Sequence, residues 1–313
     1  MSPDVAASIR GRLLNQAKSS GEEFELTLTR FAAERLLFRL GASAARNRCL
    51  LKGARLLSVW LRDPYRATRD VDVLVSGPSD DEAMRSLVSE ICAVPCLEDG
   101  LRFDLSDLTI ETIRPEEEYS GKRAHFRAFL GTARIAVQLD IGLGDAVAVE
   151  PEEVTYPTML PVLPAPRLRA YPRELMVAEK FDAMVKLDTR NSRMKDFHDL
   201  WALAGAFAFD GSLLRRAVAA CFERRGTSWT GETPRVLTPA FYQMPDIEMR
   251  WRSYLSAGAV LIPPPAQFEV IGERIVRFLA PVRESIVSGE PFAAHWPSGG
   301  PWAQRHVKED PSP

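Results

Sequence analysis

The segment RATRDVDVLV, residues 66–75, constrains the fold of this chain more than any other segment does. Three valines alternate with polar or apolar partners, which is the period of a β-strand with one apolar face. Side chains two residues apart on a strand lie on the same face, so Asp70 and Asp72 project together while the valines enter a core. The chain is therefore expected to contain a sheet that presents two carboxylates side by side.

A strand, a glycine turn and a helix are predicted just upstream. In NRCLLKGARLLSVWL, residues 47–61, a short apolar run ends at Lys52-Gly53-Ala54, and apolar residues then recur at helical spacing. Backbone N–H groups at such a turn, together with the helix dipole, form a site for anions such as phosphate, and Lys52 adjoins it. The alternatives are an ordinary tight turn for Gly53 and a solvated side chain for Lys52.

Helices and strands alternate as far as about residue 150, which predicts an α/β layer with a mixed sheet. The predicted helices cover residues 3–19, 24–41 and 82–94, and further strands cover 101–105, 108–113, 124–130 and 134–141, with the last two joined as a hairpin. We therefore predict an α/β (α+β) fold in which helices flank a small mixed β-sheet core and a mainly α-helical C-terminal domain follows.

Proline content marks the predicted domain boundary. Six prolines between residues 151 and 172 interrupt regular structure and favour an extended linker, whereas the chain beyond it is strongly helical. The Pro/Gly-rich end is predicted to be disordered. The predicted organisation is N-terminal helices at 1–45, the core at 46–150, the linker at 151–172, the helical domain at 173–290 and a disordered tail at 291–313.

Composition limits the classes of partner. The formal net charge of the 313 residues is -2, so nothing attracts nucleic acid or an anionic membrane to the chain as a whole, and polyanion binding needs a local basic patch. The first residues carry charges where a signal peptide needs an apolar core, and no window approaches the length that spans a bilayer. We expect a cytoplasmic protein with no membrane contact.

Two carboxylates held side by side repel each other unless a cation neutralises them. Oxygen ligands of this kind suit Mg²⁺ or Mn²⁺, which accept one or two carboxylates together with substrate phosphates. Asp140, which ends the predicted strand in RIAVQLDIGLGD, is a third acid able to complete a two-metal site, and Arg69 beside the acid strand can bind phosphate. The alternative for Asp70 and Asp72 is a pair that caps a helix or faces solvent.

A second group of charges surrounds a polar helix break in the C-terminal half. Asp196 and Asp199 are three residues apart and share a helical face, and Lys180 lies on the preceding helix. In the functional interpretation, Lys180 neutralises a bound triphosphate, and Asp196 or Asp199 orients the lysine or an acceptor hydroxyl across a cleft between the two domains. Lys195 is a further candidate for nucleotide binding. The alternative is an intramolecular ion-pair cluster.

The order of these segments resembles the AbiEii/AbiGii (MenT-like) nucleotidyltransferase toxins, an offshoot of the DNA polymerase β-like nucleotidyltransferase superfamily. The matching segments are RFAAERLLFRLGAS, LLKGARLL, DPYRATRDVDVLV, LDIGLGD and VAEKFDAMVKLDTRNSRMKDFHDL. The resemblance implies a nucleotidyltransferase core, Mg²⁺-dependent transfer of a nucleoside monophosphate from an NTP, and a role as the toxin of a toxin–antitoxin pair. In characterised relatives the acceptor is the 3′ end of tRNA, whose extension blocks aminoacylation and translation.

The resemblance also implies roles for individual residues. Asp70 and Asp72 match the family's metal-binding pair, Lys180 matches the lysine of its AEK segment, and Asp196 or Asp199 matches the aspartate of the KDxxD segment. These five residues are the expected catalytic set, and Asp70 and Asp72 are also the expected metal ligands.

The chain departs from the family at the nucleotide-binding turn. Polymerase β-like enzymes usually show Gly-Ser there and this family often shows Gly-Gly, whereas this chain has Gly53-Ala54, which leaves triphosphate binding to backbone amides and Lys52. Thr68 keeps a hydroxyl where a serine is sometimes found, and Asp140 matches the superfamily's third metal-binding carboxylate. The expected nucleotide-binding residues are Lys52, Gly53, Ala54, Thr68, Arg69 and Lys195.

Two other functions remain open from the sequence. One is a non-catalytic protein of the same fold that binds a nucleotide or the antitoxin, and the other is a metal-dependent glycosyltransferase that uses Asp-x-Asp. The glycine turn and helix before the acid strand favour nucleotidyl transfer. The expected partners are an NTP, a tRNA or other RNA acceptor and a cognate antitoxin, with Mg²⁺ or Mn²⁺ as cofactor.

Overall fold

The chain divides into two compact units in the computed structural model, which describes residues 3–61, 66, 68–113, 121–144, 149–229, 231–257 and 263–304. Unit 1 comprises Met1–Val147 and Pro151–Tyr171, and unit 2 comprises Ala148–Glu150 and Pro172–Pro313. Unit 2 therefore resumes at the last proline of the segment that we predicted to be a linker.

Unit 1 is built on a mixed β-sheet, as the sequence predicts. Within the described residues, its strands are β1 Cys49–Lys52, β2 Val71–Val75, β3 Leu101–Ile113, β4 Gly121–Leu130, β5 Ala133–Leu143, β6 Glu152–Thr155 and β7 Arg167–Ala170. They are ordered β3-β4-β5-β2-β1-β7-β6 across the sheet. The pairs β2–β5 and β1–β7 are parallel, and the other neighbours are antiparallel.

The two faces of this sheet differ in chemistry because the strand side chains alternate. On one face, Val71, Leu139 and Ala124 lie opposite one another on β2, β5 and β4, and each is buried. Helices pack on the sheet, with α2 against β5 and β7 and α4 against β3. The helices of unit 1 are α1 Pro3–Ser20, α2 Phe24–Ala42, α3 Arg55–Trp60 and α4 Asp81–Cys92. Apolar burial thus leaves the opposite face of β2, β5 and β4 to polar side chains.

Two expectations about strands in unit 1 are corrected. The segments 101–105 and 108–113 form one strand, β3, whose pairing with β4 shifts between Asp104 and Thr109. The segment 151–172 is not only a linker, because β6 and β7 extend the sheet, and Leu168 and Ala170 are buried there. Four of its prolines lie between these strands, where no ladder N–H is required, so they do not prevent the pairing.

Unit 2 is mainly helical, as predicted. Its helices are α5 Arg173–Leu187, α6 Met194–Ala206, α7 Gly211–Arg224, α8 Pro239–Tyr242, α9 Pro245–Ser256 and α10 Phe268–Ser288. A small sheet of β8 Phe209–Asp210, β9 Ala294–Trp296 and β10 Ala303–Gln304 joins them in the order β10-β9-β8. The polar break predicted in DTRNSR separates α5 from α6.

The C-terminal segment corrects a third expectation, because its described part is folded. Trp296 is 1% exposed and its indole N–H donates to the carbonyl of Ala204, while the indole N–H of Trp302 donates to the carbonyl of Phe278. The disorder prediction rested on the Pro/Gly content and did not count the apolar surface that the aromatic side chains bury. Residues 305–313 of the predicted tail lie outside the described residues.

None of the described helices has an apolar stretch of the length that a bilayer crossing requires. Cys49, Cys92, Cys96 and Cys221 are free thiols.

Candidate active site

The strand registers gather charged side chains in one row on the polar face of the unit 1 sheet. Lys52 on β1 lies opposite Asp72 on β2, Asp72 is in register with Asp140 on β5, and Asp140 lies opposite Arg123 on β4. Asp70 precedes β2 by one residue and follows the same alternation. Of the three acids expected to bind metal, Asp72 and Asp140 therefore lie in this row, and Asp70 adjoins it.

The turn at Gly53 lies directly against one of these acids. Gly53 has a φ of +70°, and a Cβ added to it would lie 2.2 Å from Oδ2 of Asp72. A side chain at this position would thus collide with the carboxylate as well as strain the backbone. Ala54 follows and precedes the first residue of α3, so the turn and the six-residue helix stand beside the acid row, as predicted.

The Lys52 ammonium extends along the row toward β5. Its Nζ lies 5.7 Å from the ring centroid of Tyr171, and a Cβ added at Gly142 would lie 3.3 Å from the same Nζ. Gly142 follows Asp140 by two residues on β5. The ammonium is therefore beyond Asp72 in the direction of Gly142, where it can meet a phosphate group bound at the glycine turn.

Asp140 is held by two partners that the sequence interpretation missed. The guanidinium of Arg123 donates to both carboxylate oxygens, from Nε over 2.8 Å and from Nη2 over 2.7 Å, and the amide of Gln138 donates to Oδ1 over 3.0 Å. The hydrogen bonds to Asp140 raise the pKa of Arg123, and the charge of Asp70 adds to this effect. Asp140 is thus oriented by a bidentate pair with Arg123.

The register of the β4–β5 hairpin determines where Arg123 lies. Leu130 pairs with Ala133 across a two-residue turn, and counting outward from that pair places Arg123 opposite Asp140. The hairpin was predicted with strands at 124–130 and 134–141, which leaves three residues in the loop and Arg123 outside the first strand, so the predicted hairpin did not contain this pairing.

Arg55 is a second missed residue, and it fixes the backbone that leads into β2. It is 2% exposed, and its guanidinium donates to the carbonyls of Asp70 over 2.9 Å and Arg69 over 3.0 Å, with a longer bond of 3.4 Å to Thr68. Because these carbonyls immediately precede β2, Arg55 positions Asp70 through the main chain. The only sequence signal was a lone arginine in an apolar helical run.

A cavity of about 220 Å³ borders Asp70 on the side of β5. Arg69, which is exposed, lines it together with Gln138 and His125. Of the predicted nucleotide-binding residues, Arg69 is thus placed beside the acids. Thr68 lies two residues before Asp70 and is half-buried.

In unit 2, the predicted charges of α5 and α6 form a buried ion-pair cluster. Nζ of Lys180 lies 2.8 Å from Oδ1 of Asp196 and 2.6 Å from Oδ2 of Asp199, and Nε of Arg193 lies 2.7 Å from the other oxygen of Asp196. Asp196 is 1% exposed and Asp199 is fully buried, whereas Lys195 is exposed. The cluster fits the alternative interpretation of an intramolecular network, and it also fixes the Lys180 ammonium at one place.

The side chains present fit a divalent cation that is held jointly with a substrate. Asp70 and Asp72 offer the hard oxygen ligands that Mg²⁺ combines with phosphate oxygens. Over the part of the chain that the structure describes, no three His, Cys, Asp or Glu side chains are grouped to hold a metal ion. Asp140 accepts three hydrogen bonds from Arg123 and Gln138, so its carboxylate is shared with these donors.

Comparison with known proteins gives one family and several distant structures, two of which are described here. A protein-family model described as nucleotidyl transferase AbiEii toxin, type IV TA system, matches residues 35–274. No curated protein matches the chain. A nucleotidyltransferase candidate from H. pylori is 15% identical, with a TM-score of 0.46 over 82% of this chain and 94% of that one. JHP933 from Helicobacter pylori is also 15% identical, with a TM-score of 0.45 over 82% of this chain and 90% of that one.

Proposed function

The chain belongs to the AbiEii family of nucleotidyl transferase toxins of type IV toxin–antitoxin systems, and from this premise we propose that it transfers a nucleoside monophosphate from an NTP to the 3′ end of tRNA. The family makes the chain a nucleotidyltransferase and implies an antitoxin partner, which sets aside the glycosyltransferase alternative. We further propose that the reaction requires Mg²⁺, proceeds in the cytoplasm and blocks translation, because a tRNA extended at its 3′ end no longer accepts an amino acid.

The observation that carries the proposal is the packing of the acid pair against the glycine turn. Asp72 lies against the backbone of Gly53, Lys52 lies in the same row, and Asp70 is tethered through its carbonyl to Arg55. Phosphate groups at the turn would thus be next to both the carboxylates and an ammonium. This is the arrangement that a metal-bound triphosphate needs.

In the proposed mechanism, the acceptor hydroxyl oxygen bonds to the α-phosphorus as the bond to pyrophosphate breaks, and the hydroxyl proton is lost to water. Asp70 and Asp72 would hold Mg²⁺, which when bound would neutralise charge at the phosphates and lower the pKa of the hydroxyl. Lys52 neutralises the charge that develops on the departing pyrophosphate. We assign Asp140 as the residue that would add a third oxygen ligand to the ion, with Arg123 and Gln138 holding its carboxylate in position.

The second set of residues in the proposal is Lys180 with its two carboxylates. We assign the Lys180 ammonium to phosphate neutralisation on the NTP, with Asp196 and Asp199 fixing its position, and exposed Lys195 to nucleotide binding. The buried carboxylates restrict the lysine to one conformation, so less conformational entropy is lost when phosphate binds.

The test is a transfer assay with each labelled NTP, Mg²⁺ and a tRNA pool. We expect the wild-type protein to label tRNA and Asp70→Ala to lower the rate by at least about 100-fold, because a metal ligand is lost. The circular dichroism spectrum and unfolding midpoint of Asp70→Ala should match the wild type, since removing one of two crowded anions relieves repulsion.

The matched control is Asp107→Ala, which removes a 58% exposed carboxylate from β3 of the same sheet and should leave transfer unchanged. Transfer by Asp70→Ala at a rate near that of the wild type contradicts the assignment of the acid pair.

A further inference from the structure

The cavity beside Asp70 lies where β5 extends beyond β2. The pairing of these parallel strands begins at Val71 and Leu139, so residues 134–138 of β5 continue past the N-terminal end of β2. The cavity of about 220 Å³ is formed there between β5 and the first turns of α2, and Asp70 forms part of its wall. It therefore adjoins Asp70, the first acid of the pair.

The lining of the cavity suits an anionic and hydrogen-bonding ligand. Arg69 and Arg134 bring two guanidinium groups, His125 brings an imidazole and Thr29 of α2 brings a hydroxyl, while Glu25 of α2 and Asp70 bring carboxylates. Within the described residues, neither Arg69 nor Arg134 forms an ion pair with a carboxylate. Among the described residues, these two guanidinium groups at one opening form no ion pair with the carboxylates beside them, so they can contact phosphates that a chain of net charge -2 does not attract as a whole.

One lining residue connects the cavity to the acid row. Gln138 forms part of the wall, and its amide donates to Oδ1 of Asp140 over 3.0 Å. A group bound in the cavity thus contacts a side chain that already touches Asp140, while Asp70 borders the same space. A hydroxyl at the inner end of the cavity would lie among the carboxylates.

The direction of the reaction distinguishes this cavity from the nucleotide site. In an in-line displacement, the attacking and leaving oxygens lie on opposite sides of the phosphorus. In the proposed function, pyrophosphate leaves toward Lys52, whose ammonium lies beyond Asp72 in the direction of Gly142. The cavity lies at the other end of the pair, beyond Asp70. The attacking hydroxyl must therefore come from the cavity.

We propose that this cavity binds the unpaired 3′-terminal nucleotide of the acceptor RNA, with Arg69 and Arg134 on the adjoining phosphates and Gln138 and His125 on the sugar or base. This inference rests on the proposed function and adds the acceptor site to it. The volume of about 220 Å³ is too small for a base-paired stem, so only a single unpaired nucleotide could enter. Single-stranded ends are where proteins ordinarily recognise RNA.

The test compares Arg134→Ala with Arg102→Ala. Both arginines lie over the ring of Phe129, at 6.0 Å for Arg134 and 4.7 Å for Arg102, and both are exposed, but only Arg134 lines the cavity. Arg102→Ala therefore controls for the loss of the contact with Phe129 and of one positive charge. A third variant, Ala136→Trp, places a large side chain at an exposed lining position and should fill the cavity without removing a charge.

Two affinities are measured for each variant, that of a fluorescent NTP analogue and that of a 5′-labelled RNA hairpin with an unpaired 3′ end. We expect Arg134→Ala to weaken RNA binding roughly fivefold to tenfold. The slope of the logarithm of the binding constant against the logarithm of the salt concentration should fall by about one, which corresponds to the loss of one phosphate contact. Ala136→Trp should weaken RNA binding at least as much. NTP affinity should not change in either variant, and Arg102→Ala should bind both ligands like the wild type.

The outcomes separate this inference from the proposed function. Three results overturn the acceptor site. The first is equal RNA affinity in Arg134→Ala and wild type, and the second is an equal loss of RNA affinity in Arg134→Ala and Arg102→Ala. The third is a loss of NTP affinity in Ala136→Trp. If the label of the NTP is transferred to a protein and added RNA does not reduce that transfer, the acceptor-site proposal is also overturned. If RNA binding depends on Arg134 as predicted but no NTP labels any RNA, the cavity stands as an RNA site and the proposed reaction fails.

Discussion

At the scale of single residues, Gly53 is fixed by a backbone angle and by a neighbour. Its φ of +70° disfavours any side chain, and the Asp72 carboxylate occupies the space that a Cβ would take. We expect Gly53→Ala to lower the free energy of unfolding by about 1–3 kcal/mol and to reduce nucleotidyl transfer at least tenfold, because Asp72 must move away from the turn. Urea unfolding and the labelled-NTP assay measure the two effects.

Gly21 provides the control that separates strain from the loss of the site. Its φ is +68°, and a Cβ added there would meet nothing within 4 Å. Gly21→Ala should therefore cost about 1 kcal/mol from the backbone conformation alone and leave transfer unchanged. If Gly53→Ala is as active as Gly21→Ala, the contact between the turn and Asp72 has no part in the reaction.

The residues of the candidate site differ in how far the sequence could reveal them. Asp70 and Asp72 are visible because a strand alternates with a period of two, and Gly53 because a glycine ends an apolar run before a helix. Arg55 and Arg123 act through partners that are distant in sequence, the carbonyls before β2 and the carboxylate of Asp140. Their roles follow from tertiary structure. The pairing of Arg123 with Asp140 depends on the observed register of the β4–β5 hairpin.

At the scale of secondary structure elements, α5 and α6 are joined by charges with two interpretations. Lys180 on α5 contacts both Asp196 and Asp199 on α6, and Arg193 also contacts Asp196. Lys180→Met deprives two buried carboxylates of their shared ammonium, so we expect the free energy of unfolding to fall by about 3–5 kcal/mol. That loss alone does not distinguish a structural from a catalytic lysine.

The double variant Lys180→Met/Asp199→Asn makes the distinction. It removes one positive and one negative charge and keeps Arg193 on Asp196, so part of the lost stability should return. If Lys180 neutralises phosphate, nucleotidyl transfer stays at the level of the single variant. Recovery of activity together with stability contradicts the catalytic assignment. Lys186→Met, on the same helix with a half-exposed side chain, is the control and should cost at most about 1 kcal/mol.

The elements that sequence reasoning found and those it missed differ in length. The longer helices α1 and α2 and the hairpin of β4 and β5 repeat their apolar pattern often enough to be recognised. The short strands β6, β7, β9 and β10 have two to four residues each, and prolines or glycines surround them. Such strands exist because they pair with an edge that is already present, so their own residues carry little signal.

At the scale of the whole molecule, the family match extends from residue 35 to residue 274 and so includes residues of both units. The enzyme class therefore applies to the chain as a two-unit protein. The net charge of -2 gives the chain no general attraction to RNA. In the proposed acceptor site, contact with RNA therefore depends on the two local cations Arg69 and Arg134.

The central claim is that the acid pair transfers a nucleotidyl group, and the fate of two labels in the NTP tests it most directly. The wild-type protein is incubated with Mg²⁺, a tRNA pool and an NTP labelled at either the α or the γ phosphorus. The predicted result is α label at the 3′ end of the RNA and γ label in pyrophosphate, in equal amounts. Label from the γ phosphorus in any acceptor, or pyrophosphate without labelled RNA, contradicts the account.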